Sequence, residues 1–130
     1  MDITQDFADA KFIITGYKPG CVLINDKPYQ QSFLLSPNSL TCPWQVTHIT
    51  DLAQSTLGEI FETRPEIVII GTGDTLIFPE PEIIALFAQH QIGLETMNTA
   101  AACRTYGILI AEGRKATAGI IFPNATRTDS

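Results

Sequence analysis

The chain has 130 residues, is 45% hydrophobic, and carries eight basic against fourteen acidic residues for a net charge of −6. That is enough apolar material for one compact domain spanning residues 1–130 and too little length for two. The acidic balance repels a phosphate backbone, which argues against nucleic acid as a partner.

Lys11 to Thr15, Cys21 to Ile24 and Ser32 to Leu35 are β-prone runs separated by the turn chemistry of Gly16–Gly20 and Asn25–Pro28, so an antiparallel meander is expected first. The period then lengthens: Ile49, Leu52, Ala53, Leu57, Ile60 and Phe61 recur at helical spacing, and Arg64-Pro65 closes that helix. Ile67 to Ile70 is apolar at every position, as in a central strand covered on both faces. The Gly71–Thr75 loop follows, then a helix from about Pro81 to Gln91 with Ile84, Phe87 and Ala88 inward and Gly93 as its stop. Leu94 to Met97 reads as a strand, a helix capped by Asn98 or Thr99 follows, and Ala116 to Phe122 forms the last strand before a polar tail. Strands alternating with helices predict an α/β fold in three layers: a mostly parallel mixed sheet packed with helices, plus a small N-terminal antiparallel β layer.

Cys21, Cys42 and Cys103 show no C-x-x-C spacing and suit a reducing compartment better than a disulfide framework or a zinc site. The N-terminus Met1–Phe7 is acidic where a signal peptide is basic, and no apolar run approaches the ~20 residues of a membrane span. The expectation is a cytoplasmic protein without membrane insertion.

The helix after Asn98 is the richest segment. Ala102, Cys103, Tyr106, Leu109 and Ile110 make one apolar face, and Ala100, Ala101, Gly107, Ile108 and Ala111 make the opposite side small or apolar, with Arg104 on that side. A guanidinium buried there requires a partner, and two readings stay open. In one, Asp74, Glu80, Glu82 or Glu95 pairs with Arg104 and ties helix to loop. In the other, Arg104, the N–H groups of Thr99 to Ala101 and the Gly71-Thr72-Gly73 backbone hold a small carboxylate or phosphate at the carboxyl ends of the strands. The binding set would then be Gly71, Thr72, Gly73, Asp74, Asn98, Thr99, Arg104 and Tyr106. Tyr106 is expected to bury its ring and find one hydrogen-bond partner, and Asp74 to cap its own turn.

Cys103 on the apolar face suits a packed thiol, and neither His48 nor His90 is placed beside it as a general base, so no catalytic residues, metal ligands or cofactor are assigned. Ile77 and Phe78, in Ile77-Phe-Pro-Glu-Pro81, are expected to expose an apolar patch of the kind that marks a protein interface.

Glu95-x-Met97-x-Thr99, Ala102-Cys-Arg-Thr-Tyr106 and Glu112-Gly-Arg114, preceded by Ile70-Gly-Thr-Gly73, resemble the Mth-domain family of small uncharacterised proteins, which is related to mitochondrial respiratory complex I (NADH dehydrogenase) assembly factor 3. The similarity covers most of the chain and is strongest from Glu66 to Phe122. It implies a three-layer α/β fold, no established enzymatic activity, and a protein partner such as a respiratory complex subunit or assembly machinery. The chain departs from the family pattern at Asn98, often Asp, and at Gly107, usually Asn. The first change removes a carboxylate from the helix N-cap; the second costs roughly 1 kcal/mol of helix propensity. Two functions remain: a non-enzymatic binding or assembly factor, and a small-anion binding protein or enzyme using the Gly71, Asn98 and Arg104 crevice.

Overall fold

The computed structural model describes residues 10–123, so the expectations for Met1–Phe7 and for the tail after residue 123 lie outside the described residues. Strand β1 (Ile14–Lys18) pairs antiparallel with β2 (Cys21–Ile24) across Pro19-Gly20, where Gly20 takes φ +81°. β2 pairs in turn with β3 (Lys27–Tyr29) across Asn25 and Asp26, at φ 52° and 67°. Two successive positive φ values are what a two-residue hairpin of the primed type requires, and Asn and Asp tolerate them best after glycine. The meander expected from the sequence therefore has a different third strand. Lys27–Tyr29 closes it, and Pro28 is accommodated because β3 is an edge strand. The Ser32 to Leu35 run instead supplies β4 (Phe33–Ser36) to a second sheet, with β5 (Ser39–Thr41) folded back beside it.

The first expected helix is two elements, a 3-10 turn at Ile49–Asp51 and α1 (Gln54–Thr63). Leu52 between them is extended at φ −65°, ψ 126°. The Asp51 carboxylate accepts from the Thr47 and His48 amides, and the Thr56 hydroxyl joins the Asp51 carbonyl to the Ala53 amide, so polar side chains stabilise the break. α1 ends at Arg64, held left-handed at φ 49° ahead of Pro65, as the Arg-Pro pair anticipates.

Strand β6 (Ile67–Gly71), helix α2 (Pro81–Gln89), strand β7 (Gly93–Met97), helix α3 (Thr99–Ala111) and strand β8 (Ala116–Ile120) complete the chain. The second sheet runs β5-β4-β8-β6-β7; β7 and β8 are parallel to β6, and β4 lies antiparallel to β8. This is a mixed α/β fold with a separate three-stranded antiparallel sheet. Both faces of the larger sheet are covered. Val68 and Ile70 point to one side, into a core with Leu57, Ile60 and Phe61 of α1 and Ile83 and Phe87 of α2. Ile69, Ala118 and Ile120 point to the other, against Ala102, Cys103, Tyr106 and Ile110 of α3 and Val22 and Ile24 of β2. Each fully buried large side chain, Phe33 and Phe87 among them, contributes about 1.5–3 kcal/mol relative to exposure.

Two helical faces differ from expectation. In α2 the buried positions are Ile83 and Phe87, while Ile84 is half exposed and Ala88 is exposed. Adjacent isoleucines 100° apart satisfy a helical period equally well, and the docking of α2 on the sheet selects Ile83. The reversal after α2 falls on Gln91, at φ 58°, and Gly93 already belongs to β7. In α3 the Ala102, Cys103, Tyr106 and Ile110 face is buried as expected, but the opposite side is open: Ile108 is 58% exposed and a Cβ placed on Gly107 would touch nothing within 4 Å.

Candidate functional site

The carboxyl ends of β6 and β7 lie side by side, and the connections leaving them cross to opposite faces, one to α2 and one to α3. Such a switch point opens a crevice in α/β sheets. Here the protein closes much of it. The Gly73 amide donates to the Thr99 hydroxyl at 2.9 Å, and the Thr99 amide donates to the Gly73 carbonyl at 2.8 Å. Gly71 permits this approach, since a Cβ there would sit 2.8 Å from Ile120 Cδ1 and 3.1 Å from Ala102 Cβ. Asn98 is the N-cap of α3, its Oδ1 accepting from the Ala101 amide at 2.8 Å. The Thr99 and Ala101 amides, two of the donors an anion would need, are thus already engaged.

What remains is a cavity of about 180 Å³ lined by Tyr17, Gly20, Gly73, Asp74, Thr99 and Phe122, among others. Among the described residues that line it, the one charged group is the carboxylate of Asp74. Burial, then the Asp74 charge and Cys103, raise the Tyr17 pKa above its ordinary value. Gly71, Gly73, Asp74, Asn98 and Thr99 do come together at this end of the sheet.

Arg104 does not join them. It is exposed, and among the described residues the one ion pair is Arg114 Nε with Glu66 Oε1 at 3.4 Å. The expectation of a buried guanidinium is corrected: the small residues around Arg104 form the outer surface of α3, because the helix covers the sheet with one face only. Small side chains permit close packing without requiring it.

Cys103 is 6% exposed, and burial pushes its thiol up to about 11 even though Arg104 draws it down. A nucleophilic cysteine needs the opposite shift. Tyr106 buries its ring as expected, but its hydroxyl finds no hydrogen-bond partner among the described residues, and burial raises its pKa. His90 stacks on Phe61 with ring centroids 3.9 Å apart.

Thr72 organises the loop that leaves β6, a role not read from the sequence, where Gly-Thr-Gly drew attention to its glycines. Its hydroxyl donates to the Thr75 carbonyl at 2.7 Å and accepts from the Ile77 amide at 3.1 Å, using one O–H in both capacities. At the far end Pro79 is buried and Pro81 opens α2. Between these anchors Leu76, Ile77 and Phe78 project outward, 43%, 45% and 73% exposed, followed by Ile84 at 50% on the first turns of α2. Exposure of Ile77 and Phe78 agrees with the sequence; Leu76 and Ile84, before and after them in the chain, are exposed as well. Trp44, by contrast, is core, its indole N–H donating to the Thr56 carbonyl at 2.9 Å.

Fold and site together define a small three-layer α/β domain with a self-bonded crevice at the carboxyl end of its sheet and a braced apolar loop beside it. The chain belongs to the family described as "Protein of unknown function (DUF498/DUF598)", whose profile matches residues 14–121. It is 30% identical over 122 residues to the "13 kDa major membrane protein" of Francisella tularensis, covering 93% of this chain and 99% of that one. It is 28% identical over 129 residues to "NADH dehydrogenase [ubiquinone] 1 alpha subcomplex assembly factor 3" of Xenopus tropicalis, covering 98% of this chain and 69% of that protein. A Xanthomonas campestris protein solved by NMR superposes with a TM-score of 0.80 at 31% identity, covering 87% of this chain and 86% of that one. The chain is thus related to complex I assembly factors, the relationship implied by its Ala102–Tyr106 and flanking motifs.

Proposed function

We propose that this domain is a non-enzymatic binding module of the assembly-factor kind, which takes hold of a protein partner through Leu76, Ile77, Phe78 and Ile84. The observation that carries this reading is the braced loop. Scattered exposed apolar residues are ordinary on a protein surface, but a neighbouring group of large ones on a loop held at both ends is a docking feature. A loop already in its binding shape loses less conformational entropy on association. The kinship with assembly factors supports a protein as the thing bound.

The crevice supports the alternative, a small-anion site, less well. Its Gly73, Thr99 and Ala101 amides are bonded internally, Asp74 lines its cavity, and Arg104 lies outside that lining. The Francisella relative carries a membrane designation, while among the described residues here no helix is long and apolar enough to cross a membrane. A cytoplasmic working place accords with the reducing-compartment reading of the three cysteines and is part of the proposal.

The test is co-purification from the native host with wild-type protein and with Phe78→Ser. A partner recovered in stoichiometric amount with the wild type and lost with Phe78→Ser, at unchanged melting temperature, is the expected result. Equal recovery with both proteins, or a partner lost only when the fold is lost, would overturn the assignment of the loop.

A further inference from the structure

We infer that the partner presents a basic amphipathic segment, with Lys or Arg beside its apolar face, to the Leu76–Phe78 loop. This deepens the docking reading above and rests on it. Between Arg64 and Arg104 the chain contains five carboxylates, Glu66, Asp74, Glu80, Glu82 and Glu95, and no Lys or Arg. Asp74, Glu80 and Glu82 fall on either side of the exposed apolar residues, and all three are themselves exposed. The one ion pair among the described residues lies elsewhere, between Arg114 and Glu66, so these three carboxylates are not neutralised by one of those residues. The apolar surface is therefore framed by negative charge.

That frame selects among occupants. A second copy docking through the same patch about a two-fold axis would set these carboxylates against their own equivalents, which repel. An anionic lipid surface is repelled for the same reason, and more strongly because the whole chain is acidic at −6. A segment with cationic side chains beside its apolar face gains on both counts: apolar burial holds it, and the carboxylates speed its approach and set its orientation.

The experiment pans a phage-displayed library of amphipathic peptides on the wild-type protein, with apolar positions held constant and flanking positions randomised among Lys, Arg, Glu, Gln and Ser. Enriched clones are expected to carry Lys or Arg at the flanks. Their synthetic peptides should bind more weakly as salt is raised and lose roughly 10-fold or more in affinity on Phe78→Ser, as for an interface anchor. The triple variant Asp74→Lys, Glu80→Lys, Glu82→Lys should prefer Glu-flanked peptides; should it fail to fold, the neutral variant Asp74→Asn, Glu80→Gln, Glu82→Gln should lose the preference for basic flanks. Phe78-dependent clones with neutral or acidic flanks would overturn this inference while leaving the docking loop in place. An absence of Phe78-dependent clones would overturn this inference and count against the loop as well. Phe78-dependent binding to phosphatidylglycerol vesicles in preference to any peptide would overturn it in favour of a lipid surface.

Discussion

Replacing Gly71 by alanine tests whether the close approach of α3 to β6 builds the crevice. The added methyl would lie 2.8 Å from Ile120 Cδ1, 3.1 Å from Ala102 Cβ and 3.2 Å from Thr99 Oγ1. Ile120 Cδ1 ends a flexible side chain, but Ile120 is fully buried, and the Ala102 methyl moves only if α3 moves. Overpacking of this kind costs about 1–3 kcal/mol. Gly71 is not among the residues with positive φ, so alanine strains no torsion there and recovers about 0.4–1 kcal/mol by stiffening the unfolded chain. The net destabilisation expected is about 1–2 kcal/mol. Ile120→Val removes the nearest atom and by itself should cost about 0.5–1.5 kcal/mol. The double variant should then be less destabilised than the sum of the two, by about 0.5–1 kcal/mol. Urea unfolding at unchanged m-value measures all three, and faster amide exchange at Gly73 in Gly71→Ala would report loosening of its bond to Thr99. A Gly71→Ala variant within about 0.5 kcal/mol of wild type, or strictly additive changes, would refute the packing argument.

Arg104→Ala should change stability by less than about 0.5 kcal/mol in the same assay, because the side chain is exposed and outside the one ion pair among the described residues; a loss of about 3–5 kcal/mol would reveal a buried partner. Asn98→Ala should cost about 1 kcal/mol by removing the acceptor for the Ala101 amide, whereas Asn98→Asp should be tolerated, since a carboxylate can accept the same bond and favours a helix N-terminus. The Glu66 carboxyl is held below its ordinary value of 4.5 by the Lys115 amide first and, against some opposing desolvation, by Arg114. Its stabilising contribution is present above that ordinary value and is lost as pH falls through the lower folded-state value. Melting temperature measured across the acid range should therefore fall more steeply for wild type than for Glu66→Gln, and parallel curves would refute the assignment.

Helix α3, its cap at Asn98 or Thr99 and the apolar strand β6 could be read from the sequence, because caps and periodicity act over a few neighbouring residues. The partner of β4 could not. Phe33 pairs with Ile120 across most of the chain, and nothing local distinguishes that pairing from a third strand of the meander. That Gly71–Asp74 and Asn98-Thr99 meet was legible, since they stand at the ends of recognisable strands; that Arg104 and Tyr106 lie apart from them, and what the crevice can bind, was not. Whether Arg104 faces the sheet or solvent, and whether Ile83 or Ile84 enters the core, depends on which side of each helix another element covers. Sequence by itself determined most of the elements, the family resemblance and the exposure of Ile77 and Phe78. Only the tertiary structure decided which faces are buried and that the crevice amides bond within the chain, because burial is a property of residues distant in sequence meeting in space, whereas propensity, capping and turn chemistry belong to neighbours along the chain.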